Sequence, residues 1–91
     1  MRYVVAYDIA HARGRKRVHD RLSELGEAVN LSVFEVELRD QRAVDALIAE
    51  LRKLIAPAHD RVRLVPMARD WRERQRDLGA AKPSQTRVEV V

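Results

Sequence analysis

The chain has 91 residues, enough for one domain, with 46% hydrophobic and 35% charged side chains, the balance of a small core under a heavily charged surface. It has no cysteine, which excludes a disulfide framework and thiolate chemistry, and no apolar run long enough to cross a bilayer. Lys and Arg total 18 against 14 Asp and Glu, a net charge of +4, and most of the cations are Arg.

Planar guanidinium groups suit phosphate, although a G·C-rich genome also favours Arg over Lys. The placement of the arginines therefore matters more than their number. A chain of this length buries roughly 60–65% of its unfolded surface, so a second copy would help it. The N-terminus runs straight into a strand pattern with no secretory leader, and a cytoplasmic protein is expected.

Tyr3–Ile9, YVVAYDI, predicts the first strand: β-branched and aromatic residues over an ordinary strand length. It ends on one acid, Asp8. Ala10–Gly14 reads as a loop into a helix whose apolar face is Val18, Leu22 and Leu25, with Gly26 as its C-terminal cap. Arg15, Lys16, Arg17 and Arg21 sit in the first half of that helix. Cations there oppose the helix dipole and point to an anionic partner.

Ala28–Leu38 predicts one long strand, or two meeting at a bend near Asn30. Its second half alternates, with Ser32, Phe34, Val36 and Leu38 on the face toward the helices and Val33, Glu35 and Glu37 on the other. Asp40 is the expected N-cap of a second helix over Gln41 to about Ile55, which Pro57 stops. RVRLVP, Arg61–Pro66, is the next strand, with Val62 and Leu64 inward and Arg61, Arg63 and Val65 outward. Met67–Leu78 reads as a short helix or an irregular segment. Gly79–Thr86 reads as a linker, and Arg87–Val91 as a short strand able to pair with an exposed sheet edge.

Strand, helix, split strand, helix, strand is the order of a ferredoxin-like βαββαβ unit in the α+β class. The expected organisation is a ferredoxin-like domain over 1–78, with 79–91 as linker and C-terminal strand.

YVVAYDI, the basic start of the first helix, NLSVFEVEL and RVRLVPM together resemble the CRISPR-associated endoribonuclease family, the smaller core protein of CRISPR adaptation. The resemblance covers most of the chain, and YDI with SVFE at this spacing is its specific part. It implies a ferredoxin-like homodimer and a Mg²⁺ or Mn²⁺ site on Asp8. It also implies partnership with the adaptation integrase and with duplex DNA or single-stranded RNA, and no membrane. Carried over residue by residue, Tyr7 and Asp8 fall on the strand-end pair, Arg15 and Arg17 on or near the basic positions, and Ser32 and Phe34 on SVFE. Arg13 and Lys16 join them as candidate nucleic-acid contacts. Ala28 departs from the basic residue of several relatives, and Asn30 stands where Gln is usual.

For Asp8 two readings stay open from the residues alone: a metal or phosphate site, or a loop cap or ion pair with a nearby Arg. One carboxylate is a sparse Mg²⁺ site, and a two-fold dimer would bring two together. Ser32 would orient a water or phosphate, and Phe34 would stack a base or lie in the core. Arg15 and Arg17 contact phosphate or form a solvated helix face. His11, His19 and His59 read as surface residues, and Trp71 as a packing or dimer anchor. Three functions follow. The first is a metal-dependent endonuclease on RNA or duplex DNA, with Asp8 as catalytic residue and ligand. The second is a non-catalytic dimeric scaffold joining integrase dimers during spacer acquisition. The third is a ferredoxin-like toxin ribonuclease.

Overall fold

The computed structural model describes residues 1–79, and it realises the expected order. β1 is Arg2–Asp8, α1 Ala12–Ser23, β2 Gly26–Asn30, β3 Val33–Glu37, α2 Gln41–Leu54, β4 Arg61–Pro66 and α3 Trp71–Arg74. The strands lie in the order β2-β3-β1-β4, every neighbour antiparallel. This is the ferredoxin-like arrangement. The expected strand at Arg87–Val91 lies outside the described residues. Among the described residues no helix is long and apolar enough to cross a membrane.

Period-two alternation decides the two faces of the sheet. Tyr3, Val5, Tyr7 and Ile9 point inward with Phe34, Val36 and Leu38, and meet Val18 and Leu22 of α1 and Val44, Leu47 and Leu51 of α2. Phe34, Leu22, Leu47, Val5, Val18 and Val36 are fully buried. Burying an aliphatic side chain of this kind stabilises by about 1.5–3 kcal/mol. The opposite face carries Arg2, Val4, Ala6 and Asp8 from β1, Glu35 and Glu37 from β3, and Arg61, Arg63 and Val65 from β4. α2 starts where expected, with the Asp40 carboxylate accepting the Ala43 amide at 2.9 Å.

The uncertain stretch 28–38 resolves into two strands, and their ladder is irregular. Asn30 pairs with Val33 and Ala28 with Phe34, so Val29 is an extra residue, a β-bulge. Gly26 is not the helix cap expected from sequence. α1 ends at Ser23, with Glu24 as its C-cap, and Gly26 opens β2. The reason it is glycine is contact: a Cβ there would lie 1.9 Å from the Glu35 carbonyl oxygen of β3. Leu25, placed on the helix face from sequence, packs against the core from the connection beyond the helix. α1 also starts earlier than expected, at Ala12, so Arg13 and Gly14 are helical. In the uncertain segment 67–78 a single helical turn forms at Trp71–Arg74.

Candidate functional site

Asp8 ends β1 on the sheet face away from the helices, exposed and in register with Arg61 of β4. Among the described residues it makes no ion pair and no side-chain hydrogen bond. It stands between two depressions. On the β4 side is a hollow of about 260 Å³ lined by Ala6, Tyr7, Asp8, Arg61 and Arg63. On the α1 side is an open cleft of about 700 Å³ whose walls include Tyr7, Arg15, Lys16, His19, Leu31 and Ser32. The exposed carboxylate is thus flanked by cations on both sides.

The wall residues are held by identifiable bonds. The Tyr7 hydroxyl donates to the Leu31 carbonyl at 3.1 Å, and the Tyr7 amide donates to the Ser32 carbonyl at 3.0 Å. The β2–β3 turn is therefore tied to β1 one residue before Asp8. Burial pushes the Tyr7 phenol above its ordinary pKa, with the nearby Arg15 charge opposing, so Tyr7 is a neutral donor at physiological pH. Ser32 lies on the cleft rim, and its amide donates to Asn30 Oδ1 at 3.3 Å. Asp60 accepts the Ala10 and Ala56 amides at 2.9 and 2.7 Å. Those two bonds, the Ala56 one first, hold its carboxyl below the usual range.

The expected nucleic-acid contacts divide. Arg15 lines the cleft, but its Nη1 donates to the carbonyls of Ile9 and Ala10 at 2.9 and 3.4 Å, so part of its fork is spent on the loop. Lys16 lines the cleft and pairs with Asp20 at 2.8 Å, an exposed pair of the kind worth little. Arg13 and Arg17 are exposed on α1, outside the cleft lining. Phe34 is 1% exposed, stacked at 6.4 Å on Tyr7 and met edge-on by His19 at 5.2 Å. It takes the core alternative, because its strand position faces the helices, and in this conformation it offers no ring face to a base.

Four residues around Asp8 were missed from sequence: Arg61, Arg63, His19 and Asp60. For the two arginines a signal existed. RVRLVP places them on the outer face, and the ferredoxin-like order puts β4 beside β1. Nothing in the sequence around His19 or Asp60 gives such a signal.

The donor set sets a limit on a metal. Among the described residues no group of three or more His, Cys, Asp or Glu side chains converges. One exposed carboxylate with open surroundings fits a largely hydrated Mg²⁺, which takes one or two carboxylates with water or phosphate oxygens, and does not fit an all-protein cage.

The family described as CRISPR associated protein Cas2 matches residues 1–75. The chain belongs to this family. It is 37% identical over 79 residues to the CRISPR-associated endoribonuclease Cas2 4 of Rhodospirillum rubrum, a match covering 87% of this chain and 63% of that relative's length. Its fold matches the crystal structure of Streptococcus pyogenes Cas2 with a TM-score of 0.74 and 25% identity, covering 87% of this chain and all of that one. A chain in a solved partial Cas6-RT-Cas1–Cas2 complex has the same fold, with a TM-score of 0.67 at 21% identity over 85% of this chain and 89% of that one.

Proposed function

We propose that the chain acts in CRISPR adaptation, in spacer acquisition, as a dimeric nucleic-acid-binding protein in which Asp8 holds a divalent cation against a bound phosphate. The observation that carries this reading is the Asp8 carboxylate, exposed, unpaired among the described residues and set between two basic depressions. Membership of the Cas2 family supplies the biological setting. The name of the Rhodospirillum rubrum relative supports nuclease chemistry on RNA.

Asp8 would hold Mg²⁺ or Mn²⁺ by one carboxylate, and a second copy related by a two-fold axis would add its own. Such an ion, when bound, polarises a phosphoryl oxygen and acidifies a coordinated water. Arg61 and Arg63 would neutralise phosphates on one side of Asp8, and Lys16 on the other. Arg15 would act first as a loop anchor and second as a phosphate contact. Tyr7 would keep the β2–β3 turn, and with it Ser32, at the cleft rim.

A second reading is a non-catalytic scaffold that grips duplex DNA and joins integrase dimers. One observation favours it: among the described residues a single carboxylate stands at the site, a sparse catalytic metal site, while the exposed cations serve backbone binding without any metal. The solved complex that contains both Cas1 and Cas2 supports the integrase as partner under either reading.

The deciding experiment compares wild type with Asp8→Ala for Mg²⁺-dependent cleavage of single-stranded RNA and duplex DNA, and for spacer integration with the cognate integrase. The first reading expects cleavage to fall at least about a hundredfold, since the ion and its acidified water supply most of the rate. Loss of cleavage with integration intact would make the scaffold the role that adaptation uses. Equal cleavage by the two proteins would remove Asp8 from the chemistry.

A further inference from the structure

Asp60 stands at the entry to β4, directly before Arg61, the cross-strand neighbour of Asp8. Its carboxylate is shared between two loops. Oδ1 accepts the Ala10 amide at 2.9 Å, and Oδ2 accepts the Ala56 amide at 2.7 Å. Ala10 lies two residues beyond Asp8, in the link from β1 to α1. Ala56 lies just past the end of α2.

The same link is gripped from another direction. Arg15 Nη1 donates to the carbonyls of Ile9 and Ala10. The helix supplies no cap of its own, because the His11 side chain makes no capping hydrogen bond. Two ionised side chains therefore fix the peptides that leave Asp8, one by their carbonyls and one by an amide. Hydrogen bonds with an ionised partner are about twice as strong as neutral ones. Asp60 in turn ties that link to the end of α2 and to the residue before Arg61.

We propose that Asp60 is a positioning residue for the Asp8 site, holding the β1–α1 link so that the Asp8 carboxylate presents one fixed orientation to a divalent cation. The proposal rests on the reading of Asp8 as that cation's ligand. Each Asp60 oxygen is engaged by a backbone amide, so the role assigned to it is holding the link, not ligating the cation. With the link next to the ligand untethered, the end of β1 must be ordered when the cation binds, and that ordering is taken from the affinity. Supporting partners of metal ligands commonly change affinity by about 10- to 100-fold.

The test is a Mn²⁺ titration followed by electron paramagnetic resonance on the full 91-residue chain, at a temperature where circular dichroism shows every variant folded. Asp60→Asn keeps the volume and one acceptor oxygen but turns an NH₂ toward the other backbone amide, releasing one loop. The expected results are loss of Mn²⁺ binding in Asp8→Ala and about tenfold weaker binding in Asp60→Asn. A purely structural Asp60 would lower the melting temperature and leave the Mn²⁺ affinity of the folded chain where it was. Wild-type affinity in folded Asp60→Asn, with binding lost in Asp8→Ala, overturns the positioning role alone. Wild-type affinity in Asp8→Ala, or no binding by the wild type, overturns the Asp8 reading and this proposal with it. Should Asp60→Asn not fold, Asp60→Glu replaces it. That variant sets both oxygens one methylene further out, and the same weakening and the same overturning result apply.

Discussion

The outer face of β1 carries a charged residue near each end, and the two are treated in opposite ways. At one end Arg2 is surrounded. It pairs with Glu35 and Glu37 at 3.4 Å each, lies 4.8 Å from the Trp71 ring, and leaves its side chain 20% exposed. Arg72 stacks on the same ring at 4.8 Å, so Trp71 has a guanidinium against it twice. At the other end Asp8 is exposed, beside Arg61 by register alone. A charge that serves the fold is given partners by its own chain, because an unpaired charge near apolar surface is costly. A charge left open to solvent is free for something outside the chain. Trp71, expected as a packing or dimer anchor, does its packing here on the Arg2 end.

The largest expected contrast is in stability. Arg2→Ala removes one partly buried ion pair, to Glu35, an exposed one, to Glu37, and a cation–π contact, and should cost about 1–2 kcal/mol. For a domain of this size that is a fall of roughly 4–16 °C in Tm. Asp8→Ala should stay within about 0.5 kcal/mol of wild type, as an exposed residue with no partner does. Thermal melts of the two variants check this, and a reversal of the order would end the comparison. A smaller effect concerns duplex DNA. Arg61→Ala and Arg63→Ala should each flatten the slope of log K against log salt by about 0.9, one phosphate contact apiece. Arg2→Ala should leave that slope unchanged. If all three variants keep the wild-type slope, the basic hollow beside Asp8 is not the binding surface.

The smallest effect is in acid. The Ala56 and Ala10 amides hold the folded-state pKa of Asp60 below its unfolded value. Its contribution is therefore complete above the ordinary carboxyl range near pH 4, and it is lost as pH falls through that range and below. Melting temperature should be level from pH 7 to about 5 and then drop. In Asp60→Asn the melt should start lower and the acid drop should be shallower.

Much of the fold was legible because alternation speaks directly about faces. Phe34 and Val36 against Glu35 and Glu37, and Val62 and Leu64 against Arg61 and Arg63, sorted β3 and β4 correctly. Asp40 announced α2 because a cap is a local device, readable within three residues. Gly26 was misread because a glycine after a helical pattern looks the same whether it ends the helix or clears a neighbouring strand. The distinguishing fact, the Glu35 carbonyl beside it, is nine residues away in sequence. Asp8 stood out as an acid ending an apolar run. Asp60 did not, since its partners lie 50 residues away at Ala10 and four away at Ala56, and neither contributes a side chain. Arg15 looked like a phosphate binder because composition cannot show that part of its fork is already turned inward.

The unmatched Val29 has a consequence for how kindred chains differ in length. Gly26, Glu27 and Ala28 already stand opposite Val36, Glu35 and Phe34, and Asn30 opposite Val33. Dropping position 29 would leave every one of those pairings in place and merely straighten the ribbon. A deletion away from the bulge in β2 or β3 would shift the register and turn its neighbours inside out. A single-residue gap in this hairpin, wherever evolution has made one, should therefore fall at position 29.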